Sequence, residues 1–235
     1  TNNEGPDCKT IGLYTLLDKF NFKSVSIHTA NPLEKNNRYN IIYKSLLWAQ
    51  VRKPIDAKYH VWTQDQVFSA YYGRPLWHRI GLASYLKTQH NDISYVNLRG
   101  DYQLDDSRRL FELTELFFNA PEQLLNFSSI ASQLPLMVES VDGYTPGATD
   151  TSGFTDQLVD FYTKILIDIV AETFTSGNTF FPTEKTFRPI LMKKPFIIMG
   201  PINYLIYMRQ MGFKTFFEYW DEDYDGYGPR IKFQK

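Results

Sequence analysis

The densest candidate for chemistry is Thr183-Glu184-Lys185-Thr186-Phe187-Arg188, where two cations follow a helix-capping threonine. Threonine is a preferred N-cap because its side-chain oxygen takes a backbone N–H that a helix start leaves unpaired. Lys185 and Arg188, three residues apart, then share one helix face. Cations beside free N–H groups at the positive end of a helix form an anion site, and a diphosphate fits that chemistry. Glu184, an acceptor when ionised, suits the hydroxyls of a ribose or a sugar. Glu172 adds a carboxylate just upstream. The plain alternative is helix decoration: Glu184 and Arg188 are four apart and could simply pair, worth about 0.2–0.5 kcal/mol.

Other residues offer weaker chemistry. Gly73-Arg74-Pro75-Leu76-Trp77-His78-Arg79 opens a helix whose arginines could form a second phosphate clamp, or could pair with surface acids. Asp221-Glu222-Asp223 and Asp225 carry oxygen ligands suited to a divalent metal, although acidic runs are more often solvated and a metal is not favoured. His28, His60 and His90 are isolated and read as structural. Glu172, Glu184 and Lys185 include the residue types of a metal-dependent nuclease. Adjacent residues on a strand would point to opposite faces, however, and break a one-sided metal cluster. No Walker loop, Gly-x-Ser-x-Gly elbow or His-Glu-x-x-His motif occurs.

The elements that must position these residues follow from periodicity. Helices are expected over 10–20, 39–51, 76–86, 107–119 and 122–133, with a further helix starting at Thr183 and another over 203–211 capped by Gly212. Strands are expected over 24–28, 59–62, 93–98, 165–170, 195–199 and 214–217. Residues 141–156, rich in Gly, Thr, Asp and Ser, read as a long mobile loop. Alternating strands and helices over 165–217 predict adjacent, buried, parallel strands at 165–170 and 195–199 with crossover helices. Ligands in such sheets bind beyond the carboxyl ends of the strands, which points to 172–185, 200–203 and 219–225. The fold class is therefore α/β, with a mainly parallel Rossmann-like sheet and helices on both faces. Residues 1–64 are expected to form an N-terminal α/β segment and 65–235 the nucleotide-binding domain.

Ile169-Val170-Ala171-Glu172-Thr173, Phe181 to Pro189 and Lys194 to Gly200 are similar to segments of a group of uncharacterised viral and phage proteins. So are Gly73 to Arg79, Gly212 to Phe216 and Trp220 to Asp225. More distantly, the Thr-Glu-Lys helix followed by a strand ending in Gly resembles the donor domain of fucosyltransferase-like, GT-B-type glycosyltransferases. The resemblance implies Glu184 and Lys185 as ligands of a nucleotide sugar and Arg74 or Arg79 as a phosphate ligand. Glu172, Thr183 and Arg188 complete the donor-site candidates from the residues themselves. The implied reaction is transfer of a sugar to a hydroxyl acceptor, a modified DNA base or a glycan. No catalytic base and no resident cofactor are assigned. At 235 residues the chain is short for two Rossmann domains, so a non-catalytic viral binding or virion-associated module with the same fold is the competing reading.

Composition bounds these readings. Hydrophobic residues at 43% predict a packed core. A net charge of −1 argues against a generic nucleic-acid-backbone binder, which needs a basic surface, and leaves a local basic groove open. The single Cys8 rules out an internal disulfide and a cysteine zinc site. Thr1 to Gly5 lacks a signal-peptide core, and the chain opens without Met, so an upstream residue or segment is expected to be missing. No apolar run reaches the length of a membrane span. A cytoplasmic location is expected, in the host cell if the chain is viral.

Overall fold

The computed structural model describes residues 6–22, 24–44, 58, 60–73, 75–98, 121–137 and 156–228. Its centre is a four-stranded parallel sheet of β3 (Gln66–Tyr72), β4 (Ser94–Leu98), β5 (Ile165–Ala171) and β6 (Phe196–Met199), in the order β4-β3-β5-β6. A smaller parallel pair, β1 (Ser26–Thr29) and β2 (Asn40–Tyr43), follows α1 (Leu13–Lys19). The expected adjacency holds, with Asp168 to Ala171 paired in parallel to Phe196 to Met199. This is an α/β fold of the Rossmann-like class.

Helices cover both faces because side chains alternate along each strand. Ala70, Tyr72, Val96, Leu98, Ile169, Ala171 and Met199 face one way. They pack against α2 (Trp77–Gln89) and α3 (Pro121–Ile130). The other face meets α4 (Asp156–Thr163) through Phe161 and Tyr162. There Val170, Phe196 and Ile198 bury Tyr204, Leu205 and Met208 of α6 (Tyr204–Gln210). Between β5 and β6 runs α5 (Glu184–Leu191), capped as expected by Thr183, whose side chain accepts the Lys185 N–H. Gly212, at φ +91°, ends α6 in the left-handed conformation a C-terminal cap requires. No described helix is long and apolar enough to cross a membrane.

Several elements differ from the sequence-based expectation. Residues 40–43 form a strand instead of the start of a helix, because Ile41 and Ile42 pair with Ile27 and His28 in a parallel ladder. Residues 60–62 are not a strand; the nearby strand is β3, a central strand of the main sheet. Residues 214–217 are not a strand either: the Glu222 carboxylate takes the Phe216 N–H at 2.7 Å and the Thr215 hydroxyl at 2.8 Å, the role a ladder would have played. Asp156 opens α4, and the expected helix over 107–119 and loop over 141–155 lie outside the described residues.

The strand order fixes where a ligand can enter. From β3 the chain winds outward through α2 to β4, and from β5 it winds the other way through α5 to β6. The turning point lies between the carboxyl ends of β3 and β5, at Tyr72 and Ala171. Crevices of doubly wound sheets open at such points. The N-terminal unit clamps the loop beyond β5. Asn31, fully buried, accepts the Phe180 and Leu33 N–H groups at 3.1 Å each and donates to the Asn178 carbonyl at 2.8 Å. Asp7 accepts the Asn178 N–H at 3.0 Å. We expect Asn31→Ala to cost about 2–4 kcal/mol in urea denaturation, since it strands buried backbone donors; a loss below about 1 kcal/mol would show that the clamp is dispensable.

Candidate functional site

The site is built on the segment after β5. Glu172, 1% exposed, is encircled by donors: its carboxylate takes the Thr183 N–H at 2.9 Å, the Thr183 hydroxyl at 2.6 Å, the Thr186 hydroxyl at 2.6 Å and the Tyr204 hydroxyl at 3.1 Å. A buried carboxylate needs such partners. Here they bind the end of β5 to the first turn of α5 and the start of α6. Glu172 is thus consumed in holding α5 in place.

Beyond that lock, Lys185 and Arg188 line one pocket together with Tyr71, Tyr162 and Asp168. It sits against the carboxyl-terminal halves of β3 and β5, at the turning point of the sheet. Its free volume is about 10 Å³, room for one oxygen-sized group. Arg188 is 8% exposed, its guanidinium lies 5.7 Å from the centre of the Tyr71 ring, and its Nε has no hydrogen-bond partner. Lys185 donates to Glu184 at 2.5 Å and reaches the Thr183 hydroxyl at 3.4 Å. Burial would raise the Glu184 carboxyl, but Lys185 and Arg188 outweigh it and hold it at about 2. Glu184 therefore pairs with its neighbour Lys185 rather than with Arg188.

The other residues singled out from sequence go elsewhere. Arg79, 2% exposed, donates to the Ala171 carbonyl from Nε at 3.3 Å and from Nη2 at 3.1 Å, and reaches Thr173 at 3.4 Å. His78 bonds the Glu172 carbonyl through Nε2 at 2.7 Å. The head of α2 is thereby hooked onto the end of β5, and Arg79 does not line the Lys185–Arg188 pocket. Arg74 lies outside the described residues. The acidic run is divided among structural tasks: Glu222 holds Arg209 and Thr215, and Asp225 accepts the Leu205 N–H at 2.8 Å, capping α6 from outside. Asp221 and Asp223 border a larger cavity of about 410 Å³. It has an isoleucine-rich floor on the α2 side of the sheet, and that rim does not suit an anion. Among the described residues no group of His, Cys, Asp and Glu has the arrangement of a metal site.

Sequence reasoning missed Asp168, Tyr71 and Tyr162. Asp168 was readable in principle: a carboxylate in an otherwise apolar strand must have partners or remain protonated. No family model matches the sequence, and neither the curated proteins nor the solved structures contain a match.

The hook at His78 makes stability depend on pH. Burial, aided by the Arg79 charge, pulls its imidazole down to about 3, so it stays neutral in the fold. The unfolded chain takes up a proton below about pH 6.5, so folding stability falls as pH drops from about 6.5 toward 3. We expect wild type to lose about 1.5 kcal/mol more than His78→Gln between about pH 6.5 and 5, measured by urea midpoints; parallel losses in the two proteins would exclude His78 as the source.

Proposed function

We propose that the chain is the donor-binding part of a glycosyltransferase, with the phosphates of a nucleotide sugar held at the head of α5. The observation that carries this reading is Arg188: an arginine more than nine-tenths buried, with an unpartnered Nε, lining a pocket that it shares with Lys185. Buried polar groups are almost always satisfied, and an exception asks for a missing partner. The pocket's place at the turning point of a parallel sheet supports a nucleotide ligand, and the α5 N-terminus favours an anion.

The residues divide the work. One phosphate oxygen enters the narrow space beside Arg188, where the unpartnered Nε can donate to it in a charge-assisted hydrogen bond. The rest of the diphosphate lies at the mouth, where Lys185 is 19% exposed and within reach. Glu184 and the phosphate compete for Lys185. When a phosphate takes Lys185, the Glu184 carboxylate, 32% exposed, is released to accept hydroxyls of the ribose or sugar. The site thus exchanges an internal ion pair for two ligand contacts. Thr183 and Glu172 act by fixing the helix head.

Lys185→Ala is expected to weaken binding of a nucleoside diphosphate by about 1.5–3 kcal/mol, the range for hydrogen bonds to charged groups. The fold should be almost unaffected, because a partly exposed ion pair contributes little to stability. Calorimetric titration of UDP and GDP into both proteins decides the matter. Equal affinity in the two, or no binding by either, would overturn the donor-site assignment.

A further inference from the structure

The wall of the Lys185–Arg188 pocket also holds a carboxyl group. Asp168 is 4% exposed on β5, and both of its oxygens are fastened: Ser69, its direct neighbour on β3, donates to Oδ1 at 2.8 Å, and Tyr162 of α4 donates to Oδ2 at 2.6 Å. Held this way, the carboxylate does not close on Arg188. The two share the pocket lining, yet among the described residues Arg188 makes no ion pair within 4.0 Å. Burial raises the Asp168 carboxyl above its ordinary value, and the two hydroxyls and the Arg188 charge only partly offset it. Both of its oxygens accept hydrogen bonds, the pattern of an acceptor-only ionised carboxylate, and in that form Asp168 repels an anion beside Arg188, little screened in a buried setting.

Such repulsion grows with ligand charge, and the two ligands of the proposed reaction differ in charge. In a nucleotide sugar the terminal phosphate is esterified. In the nucleoside diphosphate left after transfer it is free and carries a second ionisation near about pH 6, hence about one more negative charge at about pH 7.5. Resting on the donor-site reading above, we propose that Asp168 determines specificity by its fixed negative charge, disfavouring the free diphosphate relative to the nucleotide sugar and so promoting product release. Ser69 and Tyr162 are the positioning residues that keep this charge in the wall and out of a neutralising pair with Arg188.

The test compares UDP with UDP-glucose and GDP with GDP-mannose by calorimetry at about pH 7.5, in wild type and Asp168→Asn. Asparagine preserves shape and both hydrogen bonds, since its amide can accept from one hydroxyl and donate to the other. Asp168→Asn should bind the free diphosphate at least fivefold tighter, gain less for the sugar ester, and shift the ratio of the two affinities toward the free diphosphate by threefold or more. A merely structural role would weaken both ligands and leave the ratio unchanged, and that result would overturn the proposal. Wild type alone provides a check that survives misfolding of the variant: it should bind the sugar ester at least as tightly as the free diphosphate, and a tenfold preference for the free diphosphate would refute the role of Asp168. If wild type binds none of the four probes, the donor-site reading itself fails; if it binds them and only the ratio is unmoved, the failure is confined to Asp168.

Discussion

Everything at the ligand end of this sheet hangs on the buried carboxylate of Glu172. It directly follows β5 and accepts four hydrogen bonds from Thr183, Thr186 and Tyr204. Its own carbonyl receives His78, and the preceding carbonyl, that of Ala171, receives Arg79. One strand end thus gathers the heads of α2, α5 and α6. The cost of burying a charge is offset only if every donor is in place, so these contacts stand or fall together. The orientation of α5, and with it the approach of Lys185 and Arg188, is a consequence of that requirement.

Much of this frame was legible in the sequence. The apolar runs of β5 and β6, the Thr183 cap and the Gly212 stop follow from patterns that act locally. β3 was not legible: Gln66-Val67-Phe68-Ser69-Ala70-Tyr71-Tyr72 has no aliphatic run, and its polar Ser69 is explained only by Asp168 across the ladder. The strand at Asn40–Tyr43 was hidden for a similar reason, since its partner β1 lies well upstream. Residues 214–217 misled in the opposite direction. Their β-like composition serves a loop held by the Glu222 side chain, so the hydrogen bonds that define a strand were satisfied without one. In each case the deciding contact is distant in sequence, and local propensity carries no record of it.

The candidate site shows the same division. That Lys185 and Arg188 share a face follows from helix geometry alone. That Glu184 pairs with Lys185 does not, because the helical i to i+4 rule favours Arg188. The difference lies in burial: Arg188 turns inward under Tyr71, while Glu184 and Lys185 remain partly in solvent. Arginine suits that inward position, since its guanidinium is weakly hydrated and stacks on aromatic rings.

Arg79 and Arg188 show the contrast most clearly. Both are buried arginines, Arg79 in the first turn of α2 and Arg188 in the last turn of α5. Their surroundings differ. Arg79 meets the Ala171 carbonyl and the Thr173 hydroxyl, acceptors supplied by the fold, and its donors serve to hold α2 against β5. Arg188 meets an aromatic face and a carboxylate kept at a distance by Ser69 and Tyr162, so its Nε remains without an acceptor. An apolar side chain of similar volume would be tolerated there at less cost, and on the proposed reading the acceptor that Arg188 lacks is a phosphate oxygen of the ligand.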